Sequence, residues 1–148
     1  MEVQRDFKEL LALFNAHNVD YLIVGAYALA FHGAPRYTGD MDILVRPDPE
    51  NAQRVLSALD EFGFGSLGLS AEDFASPGKI VQLGVVPVRV DIITSITGLS
   101  WEEAAAGREK GSYGDVIAHY IGKRAIIRNK RALGRKKDLA DLEALGEE

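Results

Sequence analysis

The chain has no cysteine among its 148 residues, which removes a disulfide framework and any zinc site built on thiolates. Long apolar runs are missing too. None approaches the ~18 residues that a membrane span needs, and Met1-Glu2-Val3-Gln4-Arg5-Asp6 lacks the basic-then-apolar layout of a signal peptide. These absences point to a soluble, cytoplasmic protein with no membrane partner. A chain of this length is expected to form one domain over residues 1–148 and to bury roughly 70% of the surface its unfolded form exposes, enough for a core without staples.

An overall positive charge is likewise absent, the net being -5. The charge is unevenly spread, however. Residues 108–137 carry ten Lys or Arg against the two acids Glu109 and Asp115. A basic segment in an otherwise acidic chain attracts phosphates locally, and it equally suits a solvated helical face.

Periodicity divides what is present into short elements. Apolar residues at 7, 10, 11 and 14 mark one face of a first helix. Tyr21-Leu22-Ile23-Val24 is a buried strand ending at Gly25, and Ala26–Phe31 a helix. Asp40–Val45 is a second strand and Asn51–Phe62 a second amphipathic helix. The Gly- and Ser-rich stretch 63–78 reads as loop with a helical turn near Ala71–Phe74. Strands over Lys79–Leu83 and Val86–Thr94 are joined around Gly84, with Pro87 near the start of the second. Trp101–Ala106 is a short helix capped by Ser100. Gly111–His119 is ambiguous, with room for one more strand, and Ile121–Leu133 and Lys136–Leu145 are helices separated by Gly134. In the second, Leu139, Leu142 and Leu145 form the expected packing stripe, and Asp141 lies within helix-pair reach of Lys137 on a salt-bridged surface. The pattern predicts an α/β (α+β) fold with a helical C-terminal tail.

The chemistry lies in carboxylates placed inside strands. Alternation sends Asp40 and Asp42 to one face, about 7 Å apart at their α-carbons, and Met41, Ile43 and Val45 to the other. Asp is a poor strand former, and neighbouring carboxylates repel unless something positive stands between them. A hard divalent cation, Mg²⁺ or Mn²⁺, answers that need, because it binds through a few carboxylates and substrate phosphates. Asp91 sits in the equally β-branched run Val88-Arg89-Val90-Asp91-Ile92-Ile93. If this strand lies beside the first, Asp91 completes a three-carboxylate cluster. An isolated Asp-x-Asp is common, and Arg89 shares a face with Asp91, so a surface ion pair is the plain alternative.

Upstream, Val24-Gly25-Ala26 turns a strand into a helix. Glycine leaves the backbone amides open, and the first amides of a helix can hold an anion. Gly25-Ala26, thirteen residues, Asp40-Met41-Asp42-Ile43 and then Val90-Asp91-Ile92 resemble the pattern of DNA polymerase β-type nucleotidyltransferases. The run from Val24 through His32-Gly33-Ala34-Pro35-Arg36-Tyr37-Thr38-Gly39 to Asp42, with the tail Asn129 to Leu145, resembles the small bacterial branch that includes the nucleotidyltransferase toxins of type IV toxin–antitoxin systems.

The resemblance implies a nucleotidyltransferase fold, a mixed central sheet flanked by helices, and transfer of a nucleotide from a nucleoside triphosphate to a hydroxyl of RNA, of a protein side chain or of a small molecule, with an antitoxin-type partner. It implies that Asp40 and Asp42 bind metal and triphosphate, and that Asp91 binds a second metal and helps activate the acceptor. Gly25 and the amide of Ala26 would hold phosphate, with Lys130 and Arg135 facing it from the tail. Arg36 and Thr38 are candidate nucleotide contacts, their simpler roles being charge neutralisation and turn capping. Many family members carry Ser after the glycine, and Ala26 lacks that hydroxyl. The alternatives are a catalytically weakened nucleotide- or partner-binding module of the same fold, and a plain interaction protein. His32, at a helix end, reads as a cap.

Overall fold

The computed structural model describes residues 3–35, 40–85 and 88–147. Among these residues six strands form one mixed sheet: β1 (Tyr21–Val24), β2 (Asp40–Val45), β3 (Ile80–Val85), β4 (Val88–Ile93), β5 (Glu109–Tyr113) and β6 (Val116–Tyr120), in the spatial order β3-β4-β2-β1-β6-β5. The pairs β1–β2, β3–β4 and β5–β6 are antiparallel, whereas β2–β4 and β1–β6 are parallel. Strand β1 lies at the middle of the sheet, and all four of its residues are buried.

Among the described residues seven α-helices accompany the sheet: α1 (Arg5–Ala16), α2 (Gly25–Phe31), α3 (Pro49–Leu59), α4 (Glu72–Ala75), α5 (Trp101–Ala106), α6 (Lys123–Leu133) and α7 (Lys136–Ala144). Helix α1 buries Phe7, Leu10, Leu11 and Phe14, the four residues its periodicity selects. It packs against α3, which buries Ala52, Val55, Ala58 and Leu59. Helix α3 starts where Asp48 accepts a hydrogen bond from the Asn51 amide at 2.7 Å with Pro49 in the first turn, a combination that satisfies one orphan donor and presets the backbone. Its regular path stops at Leu59, earlier than the pattern to Phe62 predicts. A π-type turn over Asp60–Phe64 follows, broken by Gly63 at φ 110°. Helix α5 begins in a reciprocal cap, the Ser100 hydroxyl accepting from the Glu103 amide and the Ser100 amide donating to the Glu103 carboxylate.

Three sequence expectations need correction. Gly84 does not separate two strands; it lies within β3 at φ 79°, opposite Arg89, where a β-carbon would overlap the Val88 carbonyl. Pro87 lies outside the described residues. The ambiguous segment 111–119 is a complete hairpin, β5 and β6 closing through Gly114 at φ 62°, a conformation that glycine adopts freely.

The third correction concerns the tail. Leu139 is 56% exposed and leaves the packing stripe expected of it. The inward face of α7 is made instead by Leu142 together with Asp138 and Asp141. Both acids turn inward because Lys130, on α6, is itself buried. Its Nζ lies 3.4 Å from Asp138 Oδ1 and 3.0 Å from Asp141 Oδ2. Asp138 also accepts from the Arg135 guanidinium at 2.6 Å and the Arg135 amide at 3.1 Å, and these donors hold its carboxyl down at about 2. Gly134, at φ 63°, makes the sharp turn that folds α7 back onto α6.

Candidate active site

Register determines which side chains meet. Val24 stands opposite Asp42, Asp42 opposite Asp91, and Asp91 opposite Gln82, so one row crosses four strands. Side chains in register on neighbouring strands point to the same face. All four of these residues line a cavity of about 440 Å³, whose further walls include Gly25, Ile93, Ile121, Ile126 and Lys130. The adjoining row pairs Gly84 with Arg89 and Arg89 with Asp40. The reverse face of β2, with Met41, Ile43 and Val45, is fully buried, as alternation predicts.

The three aspartates are therefore brought to one face of two adjacent strands, Asp42 and Asp91 in the cavity and Asp40 one row away. Arg89 sits among them. Its Nη2 donates to Asp40 Oδ2 at 2.8 Å and to Asp91 Oδ2 at 3.3 Å. Its Nε lies 3.2 Å from Asp91 Oδ1, yet neither of those two atoms has a hydrogen-bond partner, so this contact is electrostatic without alignment. Arg89 thus bridges two of the three carboxylates.

Asp42 carries the imbalance. Burial first, and then repulsion from Asp91 and Asp40, push its carboxyl up to about 6, Arg89 opposing only in part. A carboxyl raised from 3.8 in the unfolded chain to about 6 in the folded one adds stability that is fully present below pH 4 and is lost as pH rises through 6. The metal-free protein is therefore expected to lose about 2 kcal/mol of stability between pH 4 and pH 7 from this group. Urea denaturation at successive pH values checks this against Asp42→Asn. A variant curve parallel to wild type across that window would refute it.

Gly25 supplies the last element. It has φ 66°, and a β-carbon there would overlap Asp42 Oδ2. Only glycine lets β1 turn into α2 while a carboxylate lies against the turn. No side chain caps α2, and Ala26 is buried. Helix α2 ends at His32, whose Nε2 lies 2.7 Å from the Ile121 carbonyl, a structural tie to the segment after β6.

The donor chemistry fits a hard divalent cation. Asp42 and Asp91 are opposed oxygen ligands of like charge, and the Asp91 Oδ1 atom has no hydrogen bond. Among the described residues, no group of three carboxylate or imidazole side chains converges as a ready-made metal cage; Arg89 stands between Asp40 and Asp91. Lys130 and Arg135 also line the cavity, though their charges are engaged by Asp138 and Asp141. Arg36 and Thr38 lie outside the described residues.

The architecture matches solved structures along nearly its whole length. A suspected nucleotidyltransferase of Thermotoga maritima superposes with a TM-score of 0.64 at 15% identity, over 94% of this chain and 89% of the other. The chain has the nucleotidyltransferase fold. A lincosamide antibiotic adenylyltransferase, LnuA with lincomycin bound, gives a TM-score of 0.53 at 17% identity over 99% of this chain and 98% of its own. No protein-family model and no curated protein matches the sequence.

Within the nucleotidyltransferase fold, sequence reasoning missed Gln82, a polar residue in an apolar strand whose place beside Asp91 depends on register. The ion pair it offered between Arg89 and Asp91 is present, but the closer partner of Arg89, Asp40, lies across the sheet. No helix is long and apolar enough to cross a membrane among the described residues.

Proposed function

We propose that the protein is a divalent-metal-dependent nucleotidyltransferase that moves a nucleotide from a nucleoside triphosphate to a hydroxyl acceptor. The observation that carries this reading is the in-register opposition of Asp42 and Asp91 beside Gly25, facing one cavity. Phosphoryl-type transfer asks a protein for positioning and charge neutralisation, and this arrangement offers both.

Asp42 and Asp91 would hold the metal ion, with Asp40 joining once Arg89 moves. Bound there, Mg²⁺ or Mn²⁺ would neutralise phosphate charge and lower the pKa of the attacking hydroxyl. The residues contribute the rest. The open turn at Gly25 lets a phosphate come close to the Gly25 and Ala26 amides. Asp91 Oδ1, without a hydrogen bond, accepts the proton of the acceptor hydroxyl as its oxygen bonds to the α-phosphorus and pyrophosphate leaves. The aliphatic walls formed by Ile93, Ile121 and Ile126 exclude water, which would otherwise compete as acceptor.

The acceptor in this reading is RNA or protein, in keeping with the cationic surface of α6 and α7, where Lys123, Arg124, Arg131, Lys136 and Lys137 are exposed. An antitoxin-type partner in the cytoplasm belongs to the same proposal. The test is incubation with each α-labelled nucleoside triphosphate, Mg²⁺ or Mn²⁺, and a bacterial extract containing RNA and protein. Label reaching either pool with wild type and not with Asp42→Asn supports the proposal and names the acceptor class. Metal-dependent triphosphate binding without transfer of any of the four nucleotides would instead make the protein a nucleotide-binding module of the same fold.

A further inference from the structure

Arg89 has no part in the reading above beyond holding the carboxylates, yet its position suits a second task. It is a register partner of Asp40 and lies two residues from Asp91 on the same strand face. It bonds Asp40 at 2.8 Å and Asp91 at 3.3 Å through the same nitrogen, Nη2, and leaves Nε buried without a hydrogen bond. The guanidinium is thus held by charge more than by geometry. A well-made arginine–carboxylate pair uses two parallel N–H donors, and this one does not. The side chain is 31% exposed, so it has a path outward.

We infer that Arg89 exchanges partners: it neutralises Asp40 and Asp91 while the site is without metal, and clamps the triphosphate once a divalent cation has taken those carboxylates. The inference rests on the nucleotidyltransferase reading of the site. Its logic is electrostatic. A divalent ion held by Asp42 and Asp91, and then by Asp40, replaces the attraction that holds the guanidinium and repels it. The arginine is then left beside the anion that the same ion has brought in, and a guanidinium pairs with phosphate as readily as with carboxylate. The exchange keeps the arginine paired with an anion in both states. Lys130 and Arg135, the cations that line the cavity among the described residues, cannot take this task without giving up Asp138 and Asp141.

The exchange predicts effects of opposite sign, which a merely structural arginine would not produce. In calorimetric titrations, Arg89→Gln is expected to bind Mn²⁺ alone about tenfold more tightly than wild type, because the competing cation is gone. The same variant is expected to bind the Mn²⁺ complex of inorganic tripolyphosphate about tenfold more weakly, because the clamp is gone. Tripolyphosphate supplies the charge without committing to a base. Circular dichroism checks folding; if Arg89→Gln does not fold, Arg89→Lys serves, with both shifts in the same directions and smaller. Weaker binding of both probes, or no change in either, overturns the exchange while leaving the function intact. Tighter Mn²⁺ binding with unchanged tripolyphosphate binding also overturns it. If wild type binds no Mn²⁺, or binds it as well as Asp42→Asn does, the nucleotidyltransferase reading itself fails and the exchange with it.

Discussion

Asp42→Asn is expected to reduce nucleotide transfer by about 10³-fold or more, the scale on which a pre-positioned charge contributes to such reactions, while making the metal-free protein more stable. Asparagine keeps the shape of the side chain and can share a hydrogen bond with Asp91, but it neither repels Asp91 and Asp40 nor holds a cation as strongly. At pH 8, above its raised value of about 6, the native Asp42 carboxyl is ionised, so the fold bears the full cost of burying that charge and of its repulsion by Asp91 and Asp40. Removing it should stabilise the protein by about 2 kcal/mol, which is roughly 6 °C in Tm for a chain of this size. Excess Mg²⁺ should then close the gap, because the ion binds the native wild type and stabilises it by mass action. Initial rates with an α-labelled triphosphate and melting curves at pH 8, with and without Mg²⁺, measure all three effects. Transfer retained above a tenth of wild type would show that Asp42 is not a metal ligand in the reaction. A variant less stable than wild type would show that its charge is no burden.

Gly25→Ala should be nearly as damaging, for a different reason. The substitution imposes a left-handed backbone on alanine, costing roughly 1–2 kcal/mol. Its β-carbon also enters the space of Asp42 Oδ2, so the carboxylate must rotate away from its place opposite Asp91. A misplacement of about 1 Å is enough to lose roughly 100-fold in rate. Gly33 provides the comparison, since it has φ 92° but nothing within 4 Å of the point where a β-carbon would lie. Gly33→Ala and Gly25→Ala should lose similar stability, and only Gly25→Ala should lose transfer. Equal loss of transfer in both would attribute the defect to backbone strain and not to the carboxylate.

Much of this site is visible in the amino-acid order because strand alternation is a local rule. Asp40 and Asp42 occupy positions of equal parity, Met41 and Ile43 the opposite ones, and the burial of the latter pair follows directly. The helical faces of α1 and α3 and the Ser100–Glu103 cap are local in the same sense. Register is not. That Asp91 faces Asp42, and Arg89 faces Asp40, depends on two strands almost fifty residues apart sliding into one alignment.

The tail shows the same limit. Along one helix, Lys137 and Asp141 form an i,i+4 pair, yet Asp141 turns inward to Lys130 of the preceding helix, since Gly134 folds the two helices together. A buried lysine draws acids inward more strongly than an exposed one can. Strand β5 hides for another reason. Its Glu109-Lys110-Gly111-Ser112 has no apolar alternation, because it is an edge strand mostly turned to solvent.

The order of strands in the sheet also has a consequence for how the chain comes to possess a site at all. The hairpins β3–β4 and β5–β6 join neighbours in sequence, and closing short loops is fast. The pairs β2–β4 and β1–β6 are parallel and join distant segments, Ile23 meeting Tyr120, and contacts of that kind form slowly because loop entropy is lost before they compensate for it. Asp42 and Asp91 become neighbours only through one of these late pairings. A nascent or partly folded chain can therefore have most of its helices and both hairpins and still lack the paired carboxylates, so the chemistry is withheld until the sheet is whole.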